Sequence, residues 1–357
     1  MNRAATTKAA AAAVLAGAAW ATRRALRRRI SRSPLWPLPA LETPVSGYSP
    51  RRWLRTLVVS RTEPARGVVQ LTVESPELPA WTPGAHVDVR LPSGLVRQYS
   101  LCGDPADAGR YTIAVRLVED GRGGSREVHD RLVEGAELEL RPPRNRFALE
   151  PAPSYVFVAG GIGITPLLPM LRAATASRAQ WTLLYGGRSL ASMPFLPELA
   201  GYGDRVTLVP EDEAGLPDLA ALSAGAGPGT LVYACGPEPL MAAVLAAAPD
   251  PGAVRLERFA PASSSAVTAA DRSFTVELHR SGRAVEVAPG ESALAAVRRE
   301  LPDTPYSCEQ GFCGTCQHRV LAGEVDHRDG LLTDREREES MLLCVSRAKG
   351  DRLVLDL

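Results

Sequence analysis

The stretch SCEQGFCGTCQHRVL, residues 307–321, places three cysteines close together near the C-terminus. The spacing is Cys308-x4-Cys313-x2-Cys316, and Cys344 follows after 27 more residues. Thiolates are soft ligands that suit iron–sulfur centres, and this order of spacings is that of plant-type two-iron clusters. We therefore predict that these four cysteines hold a 2Fe–2S cluster.

A four-cysteine zinc site is the alternative that the same residue types allow. Zinc sites usually pair two short C-x2–4-C hairpins, whereas here Cys344 stands alone in the sequence. Gly311 and Gly314 also favour the cluster, because positive φ angles let a loop direct backbone N–H groups toward sulfur.

The composition indicates a folded chain of several domains. Its 357 residues are enough for two or three domains, and 45% hydrophobic with 23% charged residues is typical of globular proteins. A net charge of +1 gives no general attraction to nucleic acid, and none is expected as a partner. The six cysteines are not scattered as in a secreted disulfide framework, and no convincing secretory signal is present. A reduced, cytoplasmic setting is expected.

The N-terminus is predicted to be an extension over residues 1–50. The alanine-rich segment Ala9–Thr22 precedes a basic run that begins at Arg23. As a helix it would span roughly 21 Å, which is less than the roughly 30 Å of a bilayer core. We expect a disordered or loosely helical arm, and a membrane-surface helix over residues 1–30 is the alternative.

The remaining chain changes its pattern twice. Residues 51–150 contain six short alternating β segments separated by Gly, Pro and Asp, which is typical of a small antiparallel barrel. Residues 151–259 alternate buried strands with helical segments, which predicts an α/β unit with a parallel sheet. Residues 260–272 read as a flexible linker, and residues 273–357 begin with a hairpin and a helix before the cysteine loop.

Two segments, SCEQGFCGTC and GEVDHRDGLLTDREREESMLLCVSRAKGDRLVLDL, resemble the C-terminal ferredoxin domain of the phthalate dioxygenase reductase family, and the likeness extends from about Thr56 to Leu357. The resemblance implies an α+β multidomain fold. It would comprise an antiparallel β-barrel that binds FMN (51–150), an α/β parallel-sheet domain that binds NAD (151–259) and a β-grasp ferredoxin domain (273–357).

The string RQYS begins at Arg97 on a predicted barrel strand. A flavin needs an aromatic ring against the isoalloxazine, a hydroxyl near its N5 atom and a cation for its phosphate. The resemblance assigns these roles to Tyr99, Ser100 and Arg97, with Gln98 beside them, and makes Tyr99 and Ser100 catalytic candidates. Without the resemblance, such a string would be ordinary strand residues.

A second flavin motif is GRGGS, residues 121–125, whose glycines would let the backbone approach a phosphate. Its alternative is a plain glycine turn. We also expect Ser125 to cap the helix that follows. The resemblance places the FMN phosphate at this loop and so implies FMN rather than FAD, which remains the alternative. The cofactor-binding candidates that it implies in this region are Gly123, Gly124, Ser125, Ala114, Val115 and Arg116.

The turn VAGGIGITP, which begins at Val158, is the nucleotide candidate. Glycines before a helix N-terminus form an anion site, here for pyrophosphate, and the helix is predicted to run from Pro166 to Ala176. A second marker is CGP at the end of a later strand, where ligands of open α/β sheets bind. The structural alternative for the glycine turn is a packed turn, and that for Cys235 is a buried structural thiol. The candidates are Gly160, Gly161, Gly163, Thr165, Pro166, Cys235, Gly236 and Pro237.

Two further residues are assigned by the resemblance. Phe259 lies where the family places an aromatic ring beside the flavin, although core packing explains it equally well. Arg188 lies where the adenosine ribose would bind, and an arginine there could contact a 2′-phosphate. Because the family mostly uses NADH, we expect NADH and keep NADPH as the alternative.

The implied activity is that of an NADH-dependent reductase. Hydride would pass from NADH to the flavin with Cys235 near the nicotinamide, and the cluster would deliver single electrons to an oxygenase, most simply a Rieske-type aromatic-ring oxygenase or demethylase. The alternatives are donation to a haem monooxygenase, a flavin-only reductase, and a non-enzymatic zinc-stabilised or redox-sensing adaptor. A monomer is expected.

Overall fold

The computed structural model describes residues 53–219, 227–259 and 267–357. The N-terminal extension and most of the predicted linker therefore lie outside the described residues. Among the helices of the described part, none combines the length and the apolar character needed to span a bilayer.

The first domain is a six-stranded antiparallel barrel. Alternating burial along β1 puts Leu54, Thr56 and Val58 inside and their neighbours outside, as period-two strands require. The strand order is β4-β3-β6-β1-β2-β5, and an isolated bridge between Leu101 and Ile113 joins the two edges. The strands are β1 Leu54–Ala65, β2 Val68–Glu74, β3 His86–Arg90, β4 Val96–Ser100, β5 Arg110–Arg116 and β6 Glu137–Leu140.

Helix α1, Gly124–Arg131, follows β5 and begins at the predicted phosphate loop. The expectation that Ser125 caps it was wrong. The cap position is Gly123 with φ of 79° and makes no side-chain hydrogen bond, whereas the Ser125 hydroxyl accepts from the Val118 N–H at 3.0 Å. Ser125 therefore stabilises the loop itself.

The second domain is a five-stranded parallel sheet in the order β11-β10-β7-β8-β9. Strand β7 is buried at five consecutive positions, as expected for a sheet covered on both faces. Its strands are β7 Ser154–Gly160, β8 Gln180–Gly187, β9 Val206–Pro210, β10 Thr230–Cys235 and β11 Val254–Glu257, and its helices are α2 Ile164–Ala176, α3 Leu196–Ala200, α4 Glu211–Ala214 and α5 Glu238–Ala247.

The third domain has a five-stranded sheet in the order β13-β12-β18-β14-β16. The N-terminal strand β12 and the C-terminal strand β18 pair in parallel at its centre, and helix α6 packs on β13, which is the β-grasp arrangement that the fold class predicted. The elements are β12 Phe274–Leu278, β13 Arg283–Val287, α6 Ala293–Glu300, β14 Gln317–Ala322, β15 Val325–Asp326, α7 Asp334–Arg337, β16 Ser340–Leu342, β17 Arg347–Ala348 and β18 Arg352–Leu355.

The residues before β12 are fixed to this domain. Asp271 pairs with both terminal nitrogens of Arg328 at 2.8 and 3.0 Å, and its carboxylate also accepts from the Thr268 N–H. These bonds lower the pKa of Asp271 to about 2, chiefly through Arg328.

Candidate cofactor and coenzyme sites

The four cysteines of the predicted cluster site come together in the third domain. Each side chain is at most 5% exposed. The Cys308 thiol interacts with those of Cys313 and Cys344, and Cys344 interacts in turn with Cys316. The structure thus brings together a loop and a separate segment that the sequence keeps 27 residues apart.

The surroundings of the thiols fit an iron–sulfur cluster. The Gln310 N–H donates to Cys308 Sγ at 3.3 Å, and the Thr315 hydroxyl lies 3.3 Å from Cys313 Sγ. Gly311 has φ of 77°, and a Cβ there would lie 2.8 Å from a methyl group of Val345, so glycine is required by conformation and by space. Sulfur atoms in a cluster accept hydrogen bonds of this kind.

The same four thiols are the donors that a zinc site or an iron–sulfur cluster would use. The described residues contain no group of three or more His, Cys, Asp or Glu side chains placed to hold one metal ion. A two-iron cluster divides its four thiolates between two irons, so pairs of neighbouring thiols are the pattern expected for it. The thiol contacts run from Cys313 through Cys308 and Cys344 to Cys316, an arrangement that two irons can share.

The predicted flavin residues Arg97 and Gly124 lie against each other. A Cβ on Gly124 would lie 2.5 Å from Arg97 Nε, so a larger residue there would displace the Arg97 side chain from its present position. Arg97 also donates to the carbonyl of Arg122 at 2.9 Å. Burial, and then the charge of Arg122, lowers the pKa of Arg97. A guanidinium desolvated beside a second cation, at a helix N-terminus, is suited to a phosphate.

Gln98 and Tyr99 could provide a hydrogen-bond donor and an aromatic ring to a bound flavin. The Gln98 Nε2 atom is buried and has no hydrogen-bond partner among the described residues, which leaves a donor available for a cofactor. Tyr99 is partly buried against the barrel core, and burial raises its pKa. The phenol therefore stays neutral and serves as an apolar ring with a polar tip.

The three candidates on β5 face different ways. Val115 belongs to the barrel core, so only its backbone is available to a ligand, whereas Ala114 packs with residues of the nucleotide domain. Arg116 is exposed, and its pKa is lowered by partial burial of the guanidinium and then by the charge of Arg188. The charges of Arg116 and Arg188 therefore act on each other across the two domains.

Ser100 contacts a residue that the sequence did not single out. Its hydroxyl donates to Glu257 at 3.3 Å, and His86 Nδ1 lies 3.7 Å from the same carboxyl group. Burial raises the pKa of Glu257 to about 8, and the bond from Ser100 offsets part of that rise. The pKa of His86 is lowered by burial and by the charges of Arg144 and Arg146. A neutral carboxyl group, which can donate a proton, therefore lies beside Ser100.

The glycine turn and the CGP motif are packed together. Gly163 lies so close to Cys235 that a Cβ would be 2.1 Å from its carbonyl oxygen, and a Cβ on Gly160 would lie 2.6 Å from Pro237 Cδ. Cys235 is fully buried at the end of β10, opposite Glu257 of β11, and its pKa is raised by burial and then by Glu257. The two predicted nucleotide motifs thus pack against each other and form one surface, with Gly236 between them.

The helix after the glycine turn begins earlier than predicted. It starts at Ile164 rather than at Pro166, because Gly161–Gly163 form a 3-10 turn that leads directly into it. The Thr165 hydroxyl donates to the Ile162 carbonyl at 2.9 Å, and Pro166 is buried. Gly161 has φ of 54° and no protein atom within 4 Å of its Cβ position, which leaves space above the turn.

Phe259 is 39% exposed just beyond β11, and Arg188 follows β8. Both therefore lie at the carboxyl edge of the parallel sheet, where the glycine turn also lies. Glu257 could have been suspected from the same rule, since it is the last residue of its strand.

Comparisons with known proteins agree with this geometry. Residues 157–246 match the model of an oxidoreductase NAD-binding domain, and residues 276–349 match that of a 2Fe-2S iron-sulfur cluster binding domain. The phenoxybenzoate dioxygenase subunit beta of Ectopseudomonas oleovorans is 46% identical over 77% of this chain and 87% of its own length. The solved structure of phthalate dioxygenase reductase is 36% identical, with a TM-score of 0.66 over 87% of this chain and 100% of that chain.

This chain belongs to the phthalate dioxygenase reductase family. The multidomain fold, the NAD-binding domain and the 2Fe–2S domain are thereby confirmed, whereas the individual site residues stay predictions. A further similar structure is an intact type IV self-sufficient cytochrome P450 monooxygenase, with 41% identity and a TM-score of 0.77. The match covers 85% of this chain and 41% of that longer one.

Proposed function

We propose that this phthalate dioxygenase reductase family member takes hydride from NADH on a flavin and delivers single electrons through its cluster to an oxygenase. One observation carries the proposal. Arg122 lies in the predicted phosphate loop, and its guanidinium donates to the carbonyl of the cluster residue Cys308 at 2.9 Å. This contact supports the proposal because it would make the proposed flavin site and the cluster site neighbours.

The residues around Ser100 would orient the reacting groups. A bound flavin accepts two electrons as hydride and can release them singly. Ser100 and neutral Glu257 would provide hydrogen-bond donors at the flavin edge, while the surface formed by Gly163 and Cys235 would hold the nicotinamide in stacking geometry. We propose Tyr99, Ser100 and Cys235 as the residues nearest the reaction.

FMN is the flavin that this barrel would hold. Arg97, Gly123, Gly124 and Ser125 surround a helix N-terminus suited to a terminal phosphate. The neighbouring cluster loop approaches the same segment through Arg122, where the longer FAD would have to continue.

The coenzyme would enter between Arg116 and Arg188. We propose that this pair attracts its phosphate groups, with NADH as the physiological donor and NADPH as a weaker one. The acceptor would be an oxygenase, because the similar proteins include a dioxygenase subunit. The similarity to a self-sufficient P450 monooxygenase favours a haem monooxygenase as the second candidate. The chain would act as a monomer.

Anaerobic spectroscopy tests the proposal. Purified protein should show a flavin spectrum and a broad visible cluster band, and NADH should bleach both. The protein should reduce ferricyanide and, more slowly, cytochrome c. Cofactor-loaded protein that NADH does not bleach would contradict the proposed activity, and released FAD instead of FMN would contradict the flavin assignment.

A further inference from the structure

Three arginines of the barrel domain reach across to the cluster domain. Arg122 donates to the Cys308 carbonyl and to Gln310, Arg144 donates to Thr315 at 2.8 Å, and Arg146 pairs with Glu336 at 3.2 Å. Three of these four contacts, those on Cys308, Gln310 and Thr315, fall on residues within the cysteine loop. We call Arg122, Arg144 and Arg146 the arginine clamp.

Arg144 connects a buried carboxyl group to a predicted cluster ligand. The same nitrogen donates to Asp88 at 2.7 Å and to Thr315 Oγ1 at 2.8 Å, and Asp88 is completely buried. The Thr315 hydroxyl has one hydrogen, and because it accepts from Arg144, that hydrogen is available to Cys313 Sγ at 3.3 Å. The chain of contacts therefore ends on sulfur.

Arg146 closes over the other side of the loop. It contacts Gln317, which follows the third cysteine, and a Cβ on Gly314 would lie 3.1 Å from Arg146 Nε. Its partner Glu336 belongs to helix α7. Burial raises the pKa of Glu336, but the bond from the Thr333 N–H and then the charge of Arg146 lower it overall. The guanidinium thus fits against a loop that has no side chain at this point.

We propose that the arginine clamp docks the cluster domain on the flavin barrel, and that Arg144 acts through Thr315 to set the reduction potential of the cluster. This inference rests on the proposed function and adds the residues that couple its two centres. Hydrogen bonds to cluster sulfurs are among the factors that set cluster potentials. Arg144 and Thr315 are positioning residues, since neither is itself a cluster ligand.

Simple domain adhesion is the competing explanation, and it makes a different prediction. Adhesion would require the clamp for stability or docking but would leave the cluster potential unchanged. The proposal requires that loss of one hydroxyl group, with docking charges intact, changes the potential. Thr315→Val makes that change and keeps the shape of the side chain.

The potential is measured in the full chain by chemical reduction with dithionite and mediator dyes, followed by electron paramagnetic resonance of the reduced cluster. Thr315→Val should shift the midpoint to a more negative value and alter the spectrum, and Thr315→Ser should restore both. The matched control is Thr304→Val, which removes another buried hydroxyl of this domain, bonded to the Leu301 carbonyl at 2.8 Å. An unchanged potential in Thr315→Val would overturn the role of Arg144.

Docking is tested by charge reversal at Arg146 and Glu336. Stopped-flow mixing with NADH separates flavin reduction from cluster bleaching. Arg146→Glu and Glu336→Arg should each slow bleaching about 10-fold without slowing flavin reduction, and the double variant should bleach faster than either. Equal rates in all four proteins would overturn the docking role. If NADH fails to reduce the wild-type flavin, the proposed function fails instead, whereas the potential measurement still decides the role of Thr315.

Discussion

The cluster site and the site around Ser100 are built in opposite ways. Three of the four cluster ligands lie on one short loop, and one backbone N–H group and one hydroxyl contact their sulfur atoms. The site around Ser100 is assembled from strand ends: Ser100 ends β4, and its partner Glu257, 157 residues away, ends β11. The first site depends mainly on the conformation of one loop, whereas the second depends on how two domains pack against each other.

This difference predicts how each site fails. Loss of a ligand from the loop removes one centre and leaves the folded barrel and parallel sheet intact, because the cluster domain has a hydrophobic core of its own. A change at the strand ends disturbs packing between motifs as well as chemistry. Substitutions in the two regions should therefore separate electron exit from coenzyme binding.

Cys344→Ser should give the largest effect and break the electron path at one end. A serine oxygen is a poorer ligand for an iron–sulfur centre than a thiolate, so cluster-dependent reduction of cytochrome c should fall at least about 100-fold. Ferricyanide reduction, which the flavin can perform directly, should persist. The comparison of the two acceptor assays at equal flavin content is the measurement. A parallel loss in both assays would argue against a relay through the cluster.

Gly163→Ala should disrupt the other region through packing. Its Cβ would lie 2.1 Å from the rigid carbonyl oxygen of Cys235, so we expect the free energy of unfolding to fall by about 3 kcal/mol and NADH binding to weaken. Gly227→Ala, in the same domain, has no atom within 4 Å of its Cβ position and serves as the control. Thermal unfolding of both variants decides the matter. Equal stability would contradict the close packing of the two motifs.

The two regions also differ in how far the sequence reveals them. Spacing alone predicted the cluster loop, because its ligands are neighbours along the chain. The barrel and the parallel sheet could be predicted from strand periodicity. Glu257 and His86 were missed because their importance depends on burial and on contact between domains, which no local pattern records. The prediction that Ser125 caps its helix failed for a related reason, because its hydroxyl bonds to Val118 across the loop rather than to the helix.

Glu257→Gln should change how the stability of the site around Ser100 depends on pH. In the folded protein the pKa of Glu257 is about 8, above its usual value near 4.5, so the folded state binds the proton more tightly than the unfolded state. Its stabilising contribution is complete below about pH 4.5 and is lost as the pH rises to about 8. The free energy of unfolding of Glu257→Gln relative to wild type should therefore rise by up to about 4 kcal/mol between these values.

Several titratable and polar groups face Glu257, and one of them, His86, changes stability with pH in the opposite direction. His86, Ser100 and Cys235 surround the carboxyl group, and Arg144 and Arg146 act on His86. The lowered pKa of His86 works in the opposite direction, because its contribution is lost as the pH falls below about 6.5. The difference between variant and wild type, measured by unfolding from pH 5 to 8, isolates Glu257. A difference that does not change with pH would show that the carboxyl group is not buried as described.

Arg188→Ala should give the smallest effect, confined to coenzyme choice. The charge of Arg188 acts on that of Arg116, and loss of Arg188 removes one of two cations near the expected adenosine ribose. If Arg188 contacts a 2′-phosphate, kcat/KM for NADPH should fall about 10-fold, while that for NADH changes less than about 3-fold, since a charge-assisted contact contributes about 1.5 kcal/mol. Arg178→Ala, at the end of helix α2, is the control for loss of charge in the same domain. An equal decrease for both coenzymes would place Arg188 at the pyrophosphate they share and leave preference for NADH to other residues.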